Sequence, residues 1–110
     1  MGLDIQILSV PRAMALKATD ARLGSRYDKN PRWQQVAYER DNWGLHSLLA
    51  ALYAERGGAQ DEFNDTTVRL YKRDLQLLRR SVYGRYDSPM ATQIIEHMKK
   101  GRVVYAEASF

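Results

Sequence analysis

The chain has 110 residues, 45% of them hydrophobic and 27% charged, an ordinary composition for a single globular domain, 1–110. It contains no cysteine, so disulfides, thiolate catalysis and cysteine-zinc sites are excluded. Its net charge of +4 is a mild basic bias that permits an acidic protein or a nucleic acid as partner without requiring either.

Neither a signal peptide nor a membrane span is predicted. The N-terminal residues lack a basic segment followed by an apolar run. The longest strongly apolar stretch, Leu45 to Ala54, includes His46 and Ser47 and is far shorter than the roughly 20 residues that a spanning helix needs. We therefore expect a cytoplasmic protein that has no membrane partner.

The first predicted elements are a strand and a helix. Apolar and polar residues alternate over Gly2 to Val10, which is typical of a strand with one buried face. Pro11 ends this strand, and residues 11–23 are rich in the helix formers Ala, Leu, Met and Lys. The sequence predicts a helix here that ends near Gly24.

Two further helices are predicted before the middle of the chain. Asn30 and Pro31 form a helix start signal, a capping side chain followed by proline. Asp41 and Asn42 interrupt or re-cap this helix, and Gly57 is a firm stop for the next one. The residues predicted to share one helical face in the two segments are Trp33, Val36, Ala37 and Arg40, then Leu45, Leu48, Leu49 and Leu52.

The second half predicts a loop, two helices and a strand. Residues 59–67 form a solvated acidic loop in which Asp65 caps the next helix, since the spacing of carboxylates does not fit a calcium loop. An apolar stripe from Tyr71 to Val82 predicts that next helix, and Val68–Leu70 is either its first turn or a short strand. Ser88 and Pro89 start a last helix that ends at Gly101, and a closing strand covers Arg102–Ala106.

These elements predict a mainly helical α+β fold, with about five helices packed on a small sheet that includes the N- and C-terminal strands. A two-stranded sheet is marginal alone, so it needs helix cover, a third strand or a second copy. We expect Arg102–Ala106 to be an exposed terminal strand, which makes homodimerisation through it a reasonable hypothesis.

Three short segments carry a family resemblance. The chain opens Met1-Gly2-Leu3-Asp4, has Leu45-His46 in a central helix and ends with Tyr105, Ser109 and Phe110. In these features it resembles a group of small bacterial and phage proteins that open Met-Gly-Leu-Asp, carry Ile-His centrally and finish with tyrosine, serine and an aromatic residue.

The resemblance covers about a fifth of the chain. That group usually has tryptophan where this chain has Leu49 and Phe110. The resemblance implies a similar α+β layout and a phage or mobile-element setting, and it implies no activity.

No pattern indicates a reaction, a cofactor or a metal. Neither His46 nor His97 has a carboxylate four residues away on its own helix, and one histidine per helix lacks the pair that zinc helices use. Phosphate-binding and nucleophile-elbow motifs are also missing. We expect no catalytic residue, with His46 structural; a small enzyme with His46 as general base is a third hypothesis.

The most informative chemical feature is a basic stripe opposite the apolar stripe of the fourth helix. Two tyrosines around an arginine follow it and could stack on bases, anchor a protein interface or cover the core edge. The simplest alternative is that the stripe only keeps this face solvated, helped by local pairs with Asp74. The predicted partner-binding residues are Arg69, Lys72, Arg73, Gln76, Arg79, Arg80, Tyr83, Arg85 and Tyr86.

The sequence therefore favours a small non-enzymatic interaction protein. Arginines repeated at helical intervals can contact carboxylates of an acidic protein partner, which is the leading hypothesis, or the phosphates of a nucleic acid, which is the alternative. If Val68–Leu70 is a strand, Arg69 leaves the helical stripe and this argument weakens.

Overall fold

The computed structural model describes residues 2–21, 33–78 and 89–110, and its centre is a four-stranded antiparallel sheet. The first and last strands lie side by side, as the alternation at the two ends of the chain indicates. The middle of the chain supplies the two outer strands. The strands, in the order β2-β1-β4-β3, are β1 (Asp4–Pro11), β2 (Gln34–Arg40), β3 (Thr66–Leu70) and β4 (Arg102–Ser109).

Helices share one core with one face of this sheet. In the described part of the chain they are α1 (Trp43–Glu55), the helical residues 75–78, here α2, and α3 (Pro89–Lys99). Fully buried members of the core include Ile5, Leu45 and Ile94. Burial of each such side chain stabilises the fold by about 1.5–3 kcal/mol.

The opposite face of the sheet is covered by the segment that follows β1. Residues 12–21 leave β1 and cross to the outer edge of β3. The Tyr105 hydroxyl holds this crossing, because it accepts from the Leu16 amide and donates to the Leu16 carbonyl, each at 2.8 Å. At the edge, the Arg69 amide donates to the Ala18 carbonyl at 2.8 Å, and the Asp20 amide donates to the Thr67 carbonyl at 2.9 Å.

The prediction of a mainly helical fold with about five helices is wrong. The structure has three helices and four antiparallel strands in its single sheet, counted over the described residues. The helix predicted over 11–23 is one of the errors: β1 runs on to Pro11, a 3₁₀ turn covers Arg12–Met14, and the chain then extends. Backbone bonding to Tyr105 and β3 outweighs the modest helix preference of this segment. Gly24 lies outside the described residues.

The helix predicted to contain Trp33–Arg40 is the second error, because Gln34–Arg40 is strand β2. A β-bulge explains the misleading pattern. Ile7 lies opposite Ala37 and Leu8 opposite Gln35, so Val36 is an extra residue. Val36 and Ala37 therefore both pack against the core, which strict alternation does not allow. The predicted start at residues 30–31 lies outside the described residues.

Other boundaries agree with the sequence. Asn42 caps α1 by accepting from the Leu45 amide at 3.0 Å, and Gly57 follows the helix with φ +82°. Helix α3 begins at Pro89 and is followed by Gly101 with φ +77°. At both glycines the left-handed backbone favours a residue without a Cβ.

Two questions in the second half of the chain are also answered. Val68–Leu70 belongs to β3, so the fourth helix starts later than the apolar stripe indicates. Asp65 caps no helix; its amide donates to the Ala108 carbonyl at 2.7 Å.

The expectation that the C-terminal strand is exposed is wrong, because β4 has β1 on one side and β3 on the other.

We predict opposite effects of one substitution at two glycines. A Cβ at Gly58 would overlap the ring of Tyr53, whose hydroxyl is held by Asp20 and by the Gln60 amide. Gly58→Ala should lower the free energy of unfolding by about 1–3 kcal/mol in urea titrations.

The matched control is Gly44→Ala on α1, where the new methyl group has its nearest contact at 3.7 Å. It should raise the free energy of unfolding by up to about 1 kcal/mol, since alanine loses less backbone entropy in a helix. Equal effects at the two sites would contradict the close approach at Gly58.

Candidate functional site

The predicted partner-binding residues that the structure describes come from three kinds of backbone. Arg69 lies in β3, Lys72 and Arg73 lie in a 3₁₀ turn (Lys72–Asp74), and Gln76 lies in α2. Arg69 is therefore not part of a helical stripe. The remaining predicted residues, Arg79, Arg80, Tyr83, Arg85 and Tyr86, lie outside the described residues.

Tertiary structure brings three arginines together around one tyrosine. The guanidinium carbons of Arg56, Arg69 and Arg73 lie 5.0, 4.9 and 5.1 Å from the centre of the Tyr71 ring. Each contact is a cation–π interaction of about 0.5–2 kcal/mol. Since each of these carbons lies about 5 Å from the same point, any two of them are at most about 10 Å apart. This separation is no larger than about one Debye length, so salt does not fully screen the repulsion among the three positive charges. We call these four residues the arginine cluster.

A buried ion pair fixes one member of the cluster. The Arg56 guanidinium donates from Nη2 to Asp74 at 2.5 Å and from Nη1 to the Arg69 carbonyl at 2.8 Å. Asp74 also accepts from the Tyr71 amide at 2.7 Å. The Arg56 and Asp74 side chains are only 10% and 3% exposed, so solvent screens this pair weakly. It joins the end of α1 to the turn that follows β3.

This ion pair corrects the expectation that Asp74 pairs locally with the basic stripe. Asp74 is 2% exposed and forms an ion pair with Arg56, which lies eighteen positions earlier in the chain. Arg56 directly precedes Gly57 and is not among the residues that the sequence predicts to bind a partner. No local spacing connects it with Asp74, and only the packing of α1 against β3 brings the two together.

The other two arginines of the cluster lack such a partner. Within the described ranges, neither Arg69 nor Arg73 has a carboxylate at ion-pair distance. The Nε of Arg69 is buried and has no acceptor there either. Lys72 and Arg73 are exposed, whereas Arg69 and Tyr71 are half-buried. The cluster is thus a partly desolvated site of excess positive charge that can bind an anion.

A second polar network contains a serine, a histidine and an arginine. Ser9 Oγ and His97 Nδ1 share a hydrogen bond of 2.8 Å, and the Arg102 Nε donates to the same Oγ at 2.8 Å. Burial lowers the pKa of His97, and the cations of Arg102 and Lys100 lower it further, while Glu96 opposes them. The lowered pKa favours the neutral imidazole of His97.

The geometry of this network resembles an activated serine, but its position fits a structural role. Ser9 is 0% exposed, so a substrate does not reach Oγ in this conformation. Arg102 also donates from Nη2 to the Ser9 carbonyl at 3.0 Å. The network ties the end of α3 to β1 and the start of β4, and it satisfies polar groups that would otherwise be buried without partners.

His46, the candidate general base, is held by backbone and aromatic contacts. Its Nε2 donates to the Phe63 carbonyl at 2.8 Å. Its ring packs edge-on against Trp43 and Phe110, at centroid distances of 5.4 and 5.2 Å. No carboxylate is among these contacts, which are those of a packing residue.

In residues 2–21, 33–78 and 89–110, no group of three or more histidine and carboxylate side chains is arranged to hold a metal ion. None of the helices described is long and apolar enough to traverse a bilayer. Comparison of the chain with protein-family models, curated proteins and solved structures finds no significant match.

We predict that Asp74→Asn destabilises the protein by about 3–5 kcal/mol, because it leaves the Arg56 charge buried without its partner. The double variant Asp74→Asn/Arg56→Gln should lose less than the sum of the two single variants. Urea unfolding of all four proteins measures this coupling. Additive losses would show that the ion pair is energetically unimportant.

We also predict a pH dependence that comes from His97. The pKa of His97 is lowered from 6.5 in the folded chain, so below that pH the unfolded chain takes up a proton that the folded chain resists. The free energy of unfolding should therefore fall as the pH falls from about 7 to about 5. His97→Gln should reduce this loss in urea titrations across the same range, and an unchanged loss would contradict the assignment.

Proposed function

We propose that the protein is a non-enzymatic interaction protein that binds an acidic segment of a protein partner. The binding surface is formed by Arg69 and Arg73 of the arginine cluster together with Lys72 and Gln76. The observation that supports this most is the convergence of three guanidinium groups on Tyr71, where Asp74 is the one carboxylate paired with them in the described residues. Mutually repelling cations that are held together gain free energy when an anion joins them.

The compactness of the charge favours a protein partner over a nucleic acid. Nucleic-acid binders neutralise several phosphates along a backbone and need basic residues spread over that length. Here the excess charge is concentrated around one ring, within about 10 Å. Tyr71 is packed among the arginines and half-buried, so its ring is not presented as a platform for base stacking.

The sequence-predicted continuation of this surface stays part of the proposal. Arg79, Arg80 and Arg85 add positive charge after α2, and Tyr83 and Tyr86 add aromatic groups of the kind that anchor interfaces. These residues extend the basic character of the segment that begins with Lys72.

Fluorescence anisotropy with a labelled oligoglutamate peptide tests the proposal. We expect binding that weakens as salt is raised and that Arg73→Glu weakens about tenfold or more, since the substitution places a like charge in the site.

The matched control is Arg40→Glu, which makes the same charge change at an exposed position at the far end of the opposite outer strand. It should bind the peptide like the wild type. If both variants weakened peptide binding equally, the loss would come from the change in net charge and not from the site. Tighter binding of labelled single- or double-stranded oligonucleotides than of the peptide would favour the nucleic-acid alternative.

A further inference from the structure

We infer that Arg69 and Arg73 form a binding site for a doubly charged oxyanion, the phosphoryl group of a phosphorylated side chain on the partner. Arg56 and Tyr71 act as positioning residues. This inference rests on the proposed function and specifies the chemical group that the basic surface recognises.

The charge balance of the cluster matches a dianion. Three guanidinium groups surround Tyr71, and Asp74 is the only carboxylate paired with any of them within the described ranges. Two positive charges are therefore not compensated by any of the described residues. A carboxylate would neutralise one of them, whereas a phosphorylated side chain carries about −1.5 to −2 charges at pH 7 and neutralises both.

The roles of the three arginines follow from how they are held. Arg56 uses both terminal nitrogens inside the protein, on Asp74 and on the Arg69 carbonyl, so it contributes charge but is not free to reach a ligand. Arg69 and Arg73 have no carboxylate partner among the described residues. Their planar guanidinium groups are suited to paired hydrogen bonds with phosphoryl oxygens.

The setting of the site increases its affinity for charge. The Arg69 guanidinium lies 4.9 Å from the centre of the Tyr71 ring, and its Nε is buried without an acceptor in the described part of the chain. A half-buried guanidinium that stacks on a ring has already lost part of its hydration and its side-chain freedom. Less entropy and less desolvation then oppose binding of the anion than at a flexible surface arginine.

Titration of the full chain with phenyl phosphate, followed by the NMR signals of the arginine Nε–H groups, tests this inference. We expect saturable shifts of the Arg69 and Arg73 signals. Affinity should rise several-fold from pH 5 to pH 7.5, because the second ionisation of a phosphate monoester has a pKa of about 6. Sulfate, a dianion over this whole range, should bind without that pH dependence, and acetate should bind much more weakly.

Variants distinguish recognition by the paired guanidinium donors of arginine from attraction by positive charge alone. Arg73→Gln should weaken phenyl phosphate binding about tenfold or more, and Arg73→Lys should restore only part of it, because lysine keeps the charge and loses the paired donors. Arg40→Gln, which removes a positive charge far from the cluster, should leave the affinity unchanged. Arg73 is exposed, so its variants are expected to fold, and thermal unfolding checks this.

The outcomes distinguish this inference from the proposed function. No saturable binding of phenyl phosphate, or equal losses in Arg73→Gln and Arg40→Gln, overturns the phosphoryl site even if oligoglutamate still binds through Arg73. Phenyl phosphate binding at Arg69 and Arg73 with no oligoglutamate binding supports the phosphoryl site and overturns the proposal that unmodified acidic segments are recognised.

Discussion

The pairing of β1 with β4 is the constraint on which the rest of the structure depends. These strands come from the two ends of the chain and align in register from Asp4 opposite Ser109 to Pro11 opposite Arg102. Closing so long a loop costs conformational entropy, which the ladder of hydrogen bonds and the burial of apolar residues on both faces must offset. The other two strands add to the outer sides of this pair.

The two outer edges of the sheet differ in how they are protected from pairing with another strand. The edge of β3 is covered by residues 18–20, which the Tyr105 hydroxyl helps to position through Leu16. The edge of β2 has no further strand beside it in the described residues, and it carries the bulge at Val36. A bulge increases the local twist and disfavours pairing with another strand, so this edge is a poor template for self-association.

Both buried polar networks lie at the end of the sheet where β4 begins. Val104 is flanked by Ser9 on one side and by Leu70 on the other, so the Ser9–His97–Arg102 network and the residues after β3 are close to the same strand. Arg56 and Asp74 then link α1 to this end. The candidate site forms at this end of the sheet, where Tyr71 directly follows β3.

By itself, the sequence determined the elements whose signals are local: the strands at both ends, α1 with its Asn42 cap, and α3 between Pro89 and Gly101. Alternation, capping and glycine conformation act within a few residues, so they can be recognised in the sequence without knowledge of the fold. Tertiary structure alone decided that Gln34–Arg40 is a strand and that residues 12–21 are not a helix, because hydrogen bonds to distant strands outweigh small propensities. It also decided the candidate site: Arg69 and Arg73 were predictable as basic residues, but their meeting with Arg56 around Tyr71 depends on how α1 packs against β3.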